Sequence, residues 1–219
     1  MAAPMNNSAL GDSGLRLEFP DGRAPLAAPE EINEVLAPLG SRVWPLDYDS
    51  APENMRRLLA KPALSQTDAK TVMEHFLLSR MRLLDLIAEA GRKPQVPGGG
   101  EMSTFVVNHN YSYPQLFVVE PGTDYSRFDR FHVNTSDSGT GADEVMQVLS
   151  GGGVTILQRP PGQDIVTLHV DTTEQNGWII TYDGGCPHIG SLSRAAPGTK
   201  VLMQVIGPAR WVMRYEDGR

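Results

Sequence analysis

Three side chains in the second half of this sequence carry the donor chemistry of a transition-metal site. His132 lies in Phe131-His132-Val133-Asn134, Glu144 lies in Asp143-Glu144-Val145-Met146, and His188 follows Pro187. Each stands beside a strand-like run. Two imidazoles and one carboxylate, held on one face, bind a divalent transition ion while leaving other coordination positions open. Open positions point to catalysis.

Each candidate has a plainer duty to set beside this one. His132 would also serve as a hydrogen-bonded histidine inside a barrel. Arg127, Arg130 and Arg194 either hold a substrate carboxylate through the planar guanidinium fork or sit as surface charge. His109 and His169 have strand contexts but no companions at ligand spacing, which leaves them ordinary polar roles. His75 and Arg80 belong to the solvated rim of a helix. Cys186 has no basic partner nearby in sequence and reads as a small buried side chain rather than a nucleophile. Gly98-Gly99-Gly100 and Gly151-Gly152-Gly153 lack the Lys-Ser/Thr that a phosphate loop requires.

The chain has 219 residues and a formal net charge of −7, with a pI near 5.2. That length suits one packed core with an appended helical segment. The acidic balance argues against nucleic acid and anionic membrane surfaces, which need clustered Lys and Arg, and favours a small-molecule ligand. Cys186 is the only cysteine, so no intrachain disulfide forms and a reducing compartment is expected. The N-terminal residues show neither a basic start nor an apolar run of signal-peptide length, and no stretch is apolar for long enough to cross a bilayer. A cytoplasmic location is the default expectation.

Residues 1–28, rich in Ala, Pro, Gly, Asn and Ser, read as a poorly ordered arm. Residues 29–97 read as a helical segment. Pro29–Leu36 and Pro52–Leu59 carry helical signals, and a longer helix opens at Ser65. There Ser65 and Asp68 fit a capping box, and Met73, Phe76, Leu77, Leu83, Leu84 and Ile87 recur at helical spacing until Gly91 stops the run. The glycines at 98–100 make a joint to a β region over 98–219. Strands are expected at 104–107, 115–119, 144–149, 154–158, 165–170, 178–181, 201–206 and 211–215, punctuated by Gly/Pro turns. Many short strands of this kind mean a sandwich or small barrel.

Read together, Phe131-His132-Val133-Asn134, the later Glu144 with Gly151, and Gly184-Gly185-Cys186-Pro187-His188 resemble the two motifs of the cupin family. The resemblance covers residues 103–215, and its second motif is the cleaner match. It implies a mainly β double-stranded β-helix, or jelly-roll barrel, with an N-terminal helical segment and a metal held inside. Strand alternation agrees, since His132 and Asn134 must share a face and a barrel brings Glu144 and His188 to meet them. Within the cupins, Arg127-Phe128-Asp129-Arg130-Phe131-His132-Val133-Asn134 is similar to the ligand region of 3-hydroxyanthranilate dioxygenase-like ring-cleaving cupins. Gln147 and Gly151 stand where that family has a Gln-containing strand and a Gly. Two departures stand out. Residues 135–143 separate His132 from Glu144 by a longer loop than the family has, and Gln204 takes the place of a family substrate-binding Glu.

The resemblance implies a mononuclear non-haem Fe(II)-dependent dioxygenase acting on a small aromatic or chelating substrate, with another divalent transition metal as an alternative cofactor. His132, Glu144 and His188 would hold the metal, Asn134 would orient a bound water or dioxygen, and Arg127 or Arg130 would anchor an anionic substrate group. The partners are then a small-molecule substrate and dioxygen, with pairing into a homodimer left open. A cupin lyase, isomerase or cyclase would use the same ligands for Lewis-acid polarisation alone. A non-catalytic binding cupin would bind no metal.

Overall fold

A computed structural model describes residues 12–107, 110–112, 130–159, 162, 164–192 and 194–216. In chain order its elements are β1 (Leu15–Glu18), α1 (Pro29–Leu36), β2 (Arg42–Asp47), α2 (Glu53–Ala60), α3 (Gln66–Phe76), α4 (Arg80–Glu89), β3 (Gly100–Val107), β4 (Asn110–Ser112), β5 (His132–Thr135), β6 (Asp143–Ser150), β7 (Val154–Gln158), β8 (Val166–Val170), β9 (Asn176–Asp183), β10 (His188–Ser191), β11 (Lys200–Gly207) and β12 (Val212–Tyr215). Among the described residues the strands form two six-stranded antiparallel sheets, in the orders β1-β8-β7-β10-β5-β12 and β2-β9-β6-β11-β3-β4. From β5 onward the chain crosses repeatedly from one sheet to the other, which is the winding of the expected jelly roll.

The second sheet is covered on both faces. On β6, Met146 and Val148 join Val154, Ile156, Trp178, Ile180 and Val201 between the sheets. Leu149 faces outward with Phe105 and Leu202, under Met55, Leu59, Val72, Met73 and Phe76 of α2 and α3. Val145, Ile179 and Ile206 take Leu83 and Leu86 of α4 on the same outer face. Each such side chain contributes roughly 1.5–3 kcal/mol of burial. Burial on both faces explains why β6, β9 and β11 read as continuous apolar runs rather than as alternating ones. Among the described residues no helix is long and apolar enough to cross a membrane.

Three local expectations change. Leu15–Glu18, inside the expected arm, is a strand paired with β8, and Leu15 and Leu17 are fully buried. Alternation over four residues is too short to stand out from the Gly/Pro-rich flanks. Arg42–Asp47, inside the expected helical segment, is a strand on the edge beside β9. The long helix from Ser65 is two helices. Ser65 caps α3 by accepting from Asp68 N–H, but Ser79 begins α4 in the same way by accepting from Arg82 N–H. Between them the side-chain amide of Gln204 takes both backbone groups of Leu78, accepting from its N–H at 2.9 Å and donating to its carbonyl at 3.0 Å. Gln147 Nε2 donates to the Phe76 carbonyl. Two buried amides thus satisfy the backbone that the break frees. Gly91, at φ +82°, ends α4 as expected. The strand expected at 115–119 lies outside the described residues.

Candidate metal centre

Hydrogen-bond register brings the ligand candidates together. His188 opens β10 and pairs directly with His132, the first residue of β5, and their rings lie 4.5 Å apart between centroids. Glu144, on β6 of the opposite sheet, reaches across so that its Oε1 stands 3.4 Å from His188 Nε2. Asn134 is two residues after His132 on the same face, and its Nδ2 donates to Glu144 Oε1 at 2.5 Å. His132, Asn134, Glu144 and His188 are all at most 4% exposed.

Both imidazoles are braced alike. His132 Nδ1 lies 2.7 Å from the Arg130 carbonyl, and His188 Nδ1 lies 2.8 Å from the Cys186 carbonyl. A carbonyl oxygen only accepts, so Nδ1 carries a proton in each ring and Nε2 is the atom left for a ligand; in His188 it is bonded to Glu144 Oε1, and a metal ion would displace the proton between them. This is the bracing that metal-ligating histidines use.

Electrostatics follow from burial and proximity. Burial pulls the His132 pKa down, and the neighbouring His188 adds to the drop. Burial would likewise lower His188, but the Glu144 carboxylate outweighs it and raises its pKa. Burial works against ionised Glu144, yet the charge and hydrogen bond of His188 and the Asn134 amide hold the carboxyl below its ordinary value. The centre therefore presents a carboxylate and two imidazoles.

Sequence reasoning missed several neighbours. Tyr182 pairs with Glu144 across β9 and β6, is fully buried, and its hydroxyl interacts with that carboxylate. Gly184 accepts from Asn134 N–H at 2.7 Å, and a Cβ there would come within 2.7 Å of Glu144 Oε1. Tyr215 and Met213, on β12, pair with His132 and Asn134. Strand alternation would have placed Tyr182 inward with Trp178 and Ile180; the tight approach at Gly184 has no sequence signal.

The remaining candidates are scattered. Arg130 accepts from His132 through its backbone carbonyl, while its guanidinium lies over the Tyr215 ring, 4.6 Å from the centroid. Arg127 and His109 lie outside the described residues. Arg194 is exposed on a turn after β10. His169 stands 3.1 Å from Glu18. Gln147 and Gln204 face the helices rather than the centre, so Gln204 does not take the substrate-side place of the family Glu. The Cys186 thiol is pushed up to about 11 by burial, in keeping with an inert side chain.

Among the described residues no group of three or more His, Cys, Asp or Glu side chains stands at metal-holding geometry. The donor types nonetheless fit a divalent transition ion. Two braced imidazoles and an ionised carboxylate converge, and beside them the Asn134 Oδ1 is buried with no hydrogen-bond partner among the described residues. With Nδ2 on Glu144, that oxygen is the atom Asn134 has left. It accepts, so it suits a bound water better than dioxygen, which needs a donor.

No protein-family model matches the sequence, and no curated protein matches it. Among solved structures, an acireductone dioxygenase from Bacillus anthracis with a cadmium ion in its active centre is similar over 93% of this chain and 99% of its own, with a TM-score of 0.59 and 14% identity. At that identity the likeness is one of fold, and it agrees with the cupin jelly roll.

Proposed function

We propose that this protein is a mononuclear metal-dependent dioxygenase of the cupin type, using Fe(II) and acting on a small aromatic or otherwise chelating substrate. The observation that carries this reading is the matched pair His132 and His188, each with Nδ1–H spent on the carbonyl two residues earlier, facing the ionised carboxylate of Glu144. Held by these three, a divalent ion supplies open positions for substrate and dioxygen and a path for electrons between them. The fold likeness to a dioxygenase with a metal ion in its active centre supports the same class.

The chain's own residues do the positioning. His132 and His188 are fixed in one tautomer by their backbone partners, Asn134 steadies Glu144, and Tyr182 closes the wall behind the carboxylate. At the side, Arg130 over Tyr215 offers a cation beside an aromatic face to an anionic ring substrate. Tyr182 also gives a footing to the lyase or isomerase alternative as a hydrogen-bond donor beside the ligand carboxylate, with burial and Glu144 holding its proton in place.

The test is oxygen uptake by protein reconstituted with Fe(II) under anaerobic conditions and offered aminophenols, catechols and hydroquinones. Uptake matched to substrate loss, and abolished in His188→Ala, is the expected result. Substrate turnover without oxygen would move the lyase or isomerase reading ahead.

A further inference from the structure

We infer that the part of the substrate the metal does not hold is an apolar aromatic ring, received by a wall of thioether side chains, Met102, Met203 and Met213. This rests on the proposed metal-dependent reading and names the substrate class from the surface beside the ligands.

The wall follows from strand register. Residues directly opposite each other on paired strands share a face, so the inward face of Glu144 continues to Val205 on β11 and from there to Met102 on β3. Two residues along, Met146 on β6 stands opposite Met203, which stands opposite Thr104. On the other sheet Met213 and Tyr215 are opposite Asn134 and His132. Of the nine methionines in the chain, four thus face the interior around the candidate ligands. Packing alone does not call for this, since Leu or Val fills a core with better-defined rotamers. Apart from Glu144, no charged side chain faces inward at these two levels of β3, β6 and β11.

Burial is graded across this interior. Ile180, Tyr182 and Met146 are at most 2% exposed, whereas Met102, Thr104 and Met203 on the same inner face, and Met213 and Tyr215 on the other sheet, are partly exposed. The far side is closed by Gln158 Nε2, which donates to Ser41 Oγ at 2.8 Å and so ties β7 to the start of β2. By the strand order of the two sheets, the open side then lies between β11 and β3 of one sheet and β5 and β12 of the other.

A thioether wall suits a ring. Methionine is unbranched and polarizable, adjusts to an irregular apolar surface and makes favourable sulfur contacts with aromatic groups. Two phenols of the centre already use it, with the Tyr215 hydroxyl 2.8 Å from Met213 Sδ and the Tyr182 hydroxyl 3.9 Å from Met203 Sδ. A charged group laid against Met102 and Met203 would lose its water and gain no partner there. The chelating atoms of the substrate therefore turn to the metal, the ring turns to β3 and β11, and an anionic substituent points toward Arg130 over Tyr215.

The experiment is NMR of the full chain carrying 13C-methyl methionine and loaded with Zn(II), titrated with benzohydroxamate and, in parallel, with acetohydroxamate. The two probes share one chelating head and differ by a phenyl ring. The methyl signals of Met102 and Met203 are assigned by their loss in Met102→Leu and Met203→Leu, or in the isoleucine variants if these do not fold. Both signals should move upfield by ring current with benzohydroxamate and stay near their places with acetohydroxamate. Met55 and Met73, packed under the helices, and the exposed Met81 are internal controls that should not move. Benzohydroxamate should also bind on the order of tenfold more tightly, and Met203→Gln should shrink that preference while leaving acetohydroxamate binding and zinc content unchanged. Equal affinity for the two probes, binding of neither by the zinc-loaded protein, or benzohydroxamate binding with both methyl signals in place would overturn the inference and leave the metal site standing. If Zn(II) does not bind the chain at all, the inference and the proposed metal site fall together.

Discussion

The His132 and His188 rings owe their orientation to two backbone carbonyls rather than to other side chains, so the centre is assembled by strand geometry as much as by its ligands. Gly184 shows how tight that geometry is. An added Cβ would meet the Ala142 carbonyl at 2.5 Å and Glu144 Oε1 at 2.7 Å. Gly184→Ala should therefore cost on the order of 1–3 kcal/mol in denaturant unfolding, the usual scale of overpacking, and should lower metal content as well. Full metal content in a folded Gly184→Ala protein would mean that Glu144 is not held against this turn. Arg130 offers a second check. Arg130→Lys keeps the charge but loses the planar fork, so it should raise the apparent substrate constant by about 1–3 kcal/mol with metal content unchanged. Wild-type kinetics with an anionic aromatic substrate would remove Arg130 from the anchor role. His132, Glu144 and His188 were legible because residue type, spacing and family pattern agreed. Gly184 was not legible beyond its motif place, because its duty is a close approach between chains of contact that only the folded register creates.

At the level of elements, the break between α3 and α4 was hidden because both helices bury the same kind of apolar stripe, and periodicity continues across the gap. What divides them is Gln204, more than a hundred residues away in sequence, which clamps Leu78. β11 carries another such device. Lys200 is fully buried, and its Nζ donates its three N–H groups to the carbonyls of Leu59, Lys61 and Gly198, with Ser150 Oγ 3.2 Å away, tying the end of α2 to the barrel. Lys200→Met should take the donor from the Leu59 and Lys61 carbonyls, the Gly198 carbonyl keeping Ser150 Oγ, and cost on the order of 3 kcal/mol in urea unfolding. Burial also pushes the Lys200 pKa from 10.5 down to about 8. Between those values the unfolded chain binds more protons than the folded one, so wild-type stability should rise with pH from about 8 to 10.5. Lys200→Met should lack that rise; an unchanged pH profile in the variant would show that Lys200 does not titrate in the folded chain. The composition of β6 and β11 announced strands, but not that lysine and glutamine would point into the helical layer.

Across the whole molecule, distant segments meet behind the centre. The Arg92 guanidinium, at the end of the helical segment, contacts Asp143 and donates to Thr181 Oγ1 and to the Gly40 carbonyl. Thr181 in turn donates to the Glu144 carbonyl. With the Asp143 side chain fully buried and that of Arg92 11% exposed, Arg92→Ala would strand a buried carboxylate, at a cost of about 3–5 kcal/mol in chemical denaturation. A loss within experimental error would show that the contact is dispensable. The jelly roll itself was legible from many short strands punctuated by Gly and Pro. The partnership of helical segment and barrel was not, because Arg92, Asp143 and Thr181 each look like ordinary surface residues until the sheets close. All of this positions one carboxylate and two imidazoles, and the claim that they hold a metal is open to direct measurement. Elemental analysis of wild-type protein and His188→Ala, each purified anaerobically and loaded with Fe(II), should find stoichiometric metal in the first and a small fraction of it in the second, with the barrel still folded by circular dichroism. Equal metal in both proteins, or none in the wild type, would contradict the account.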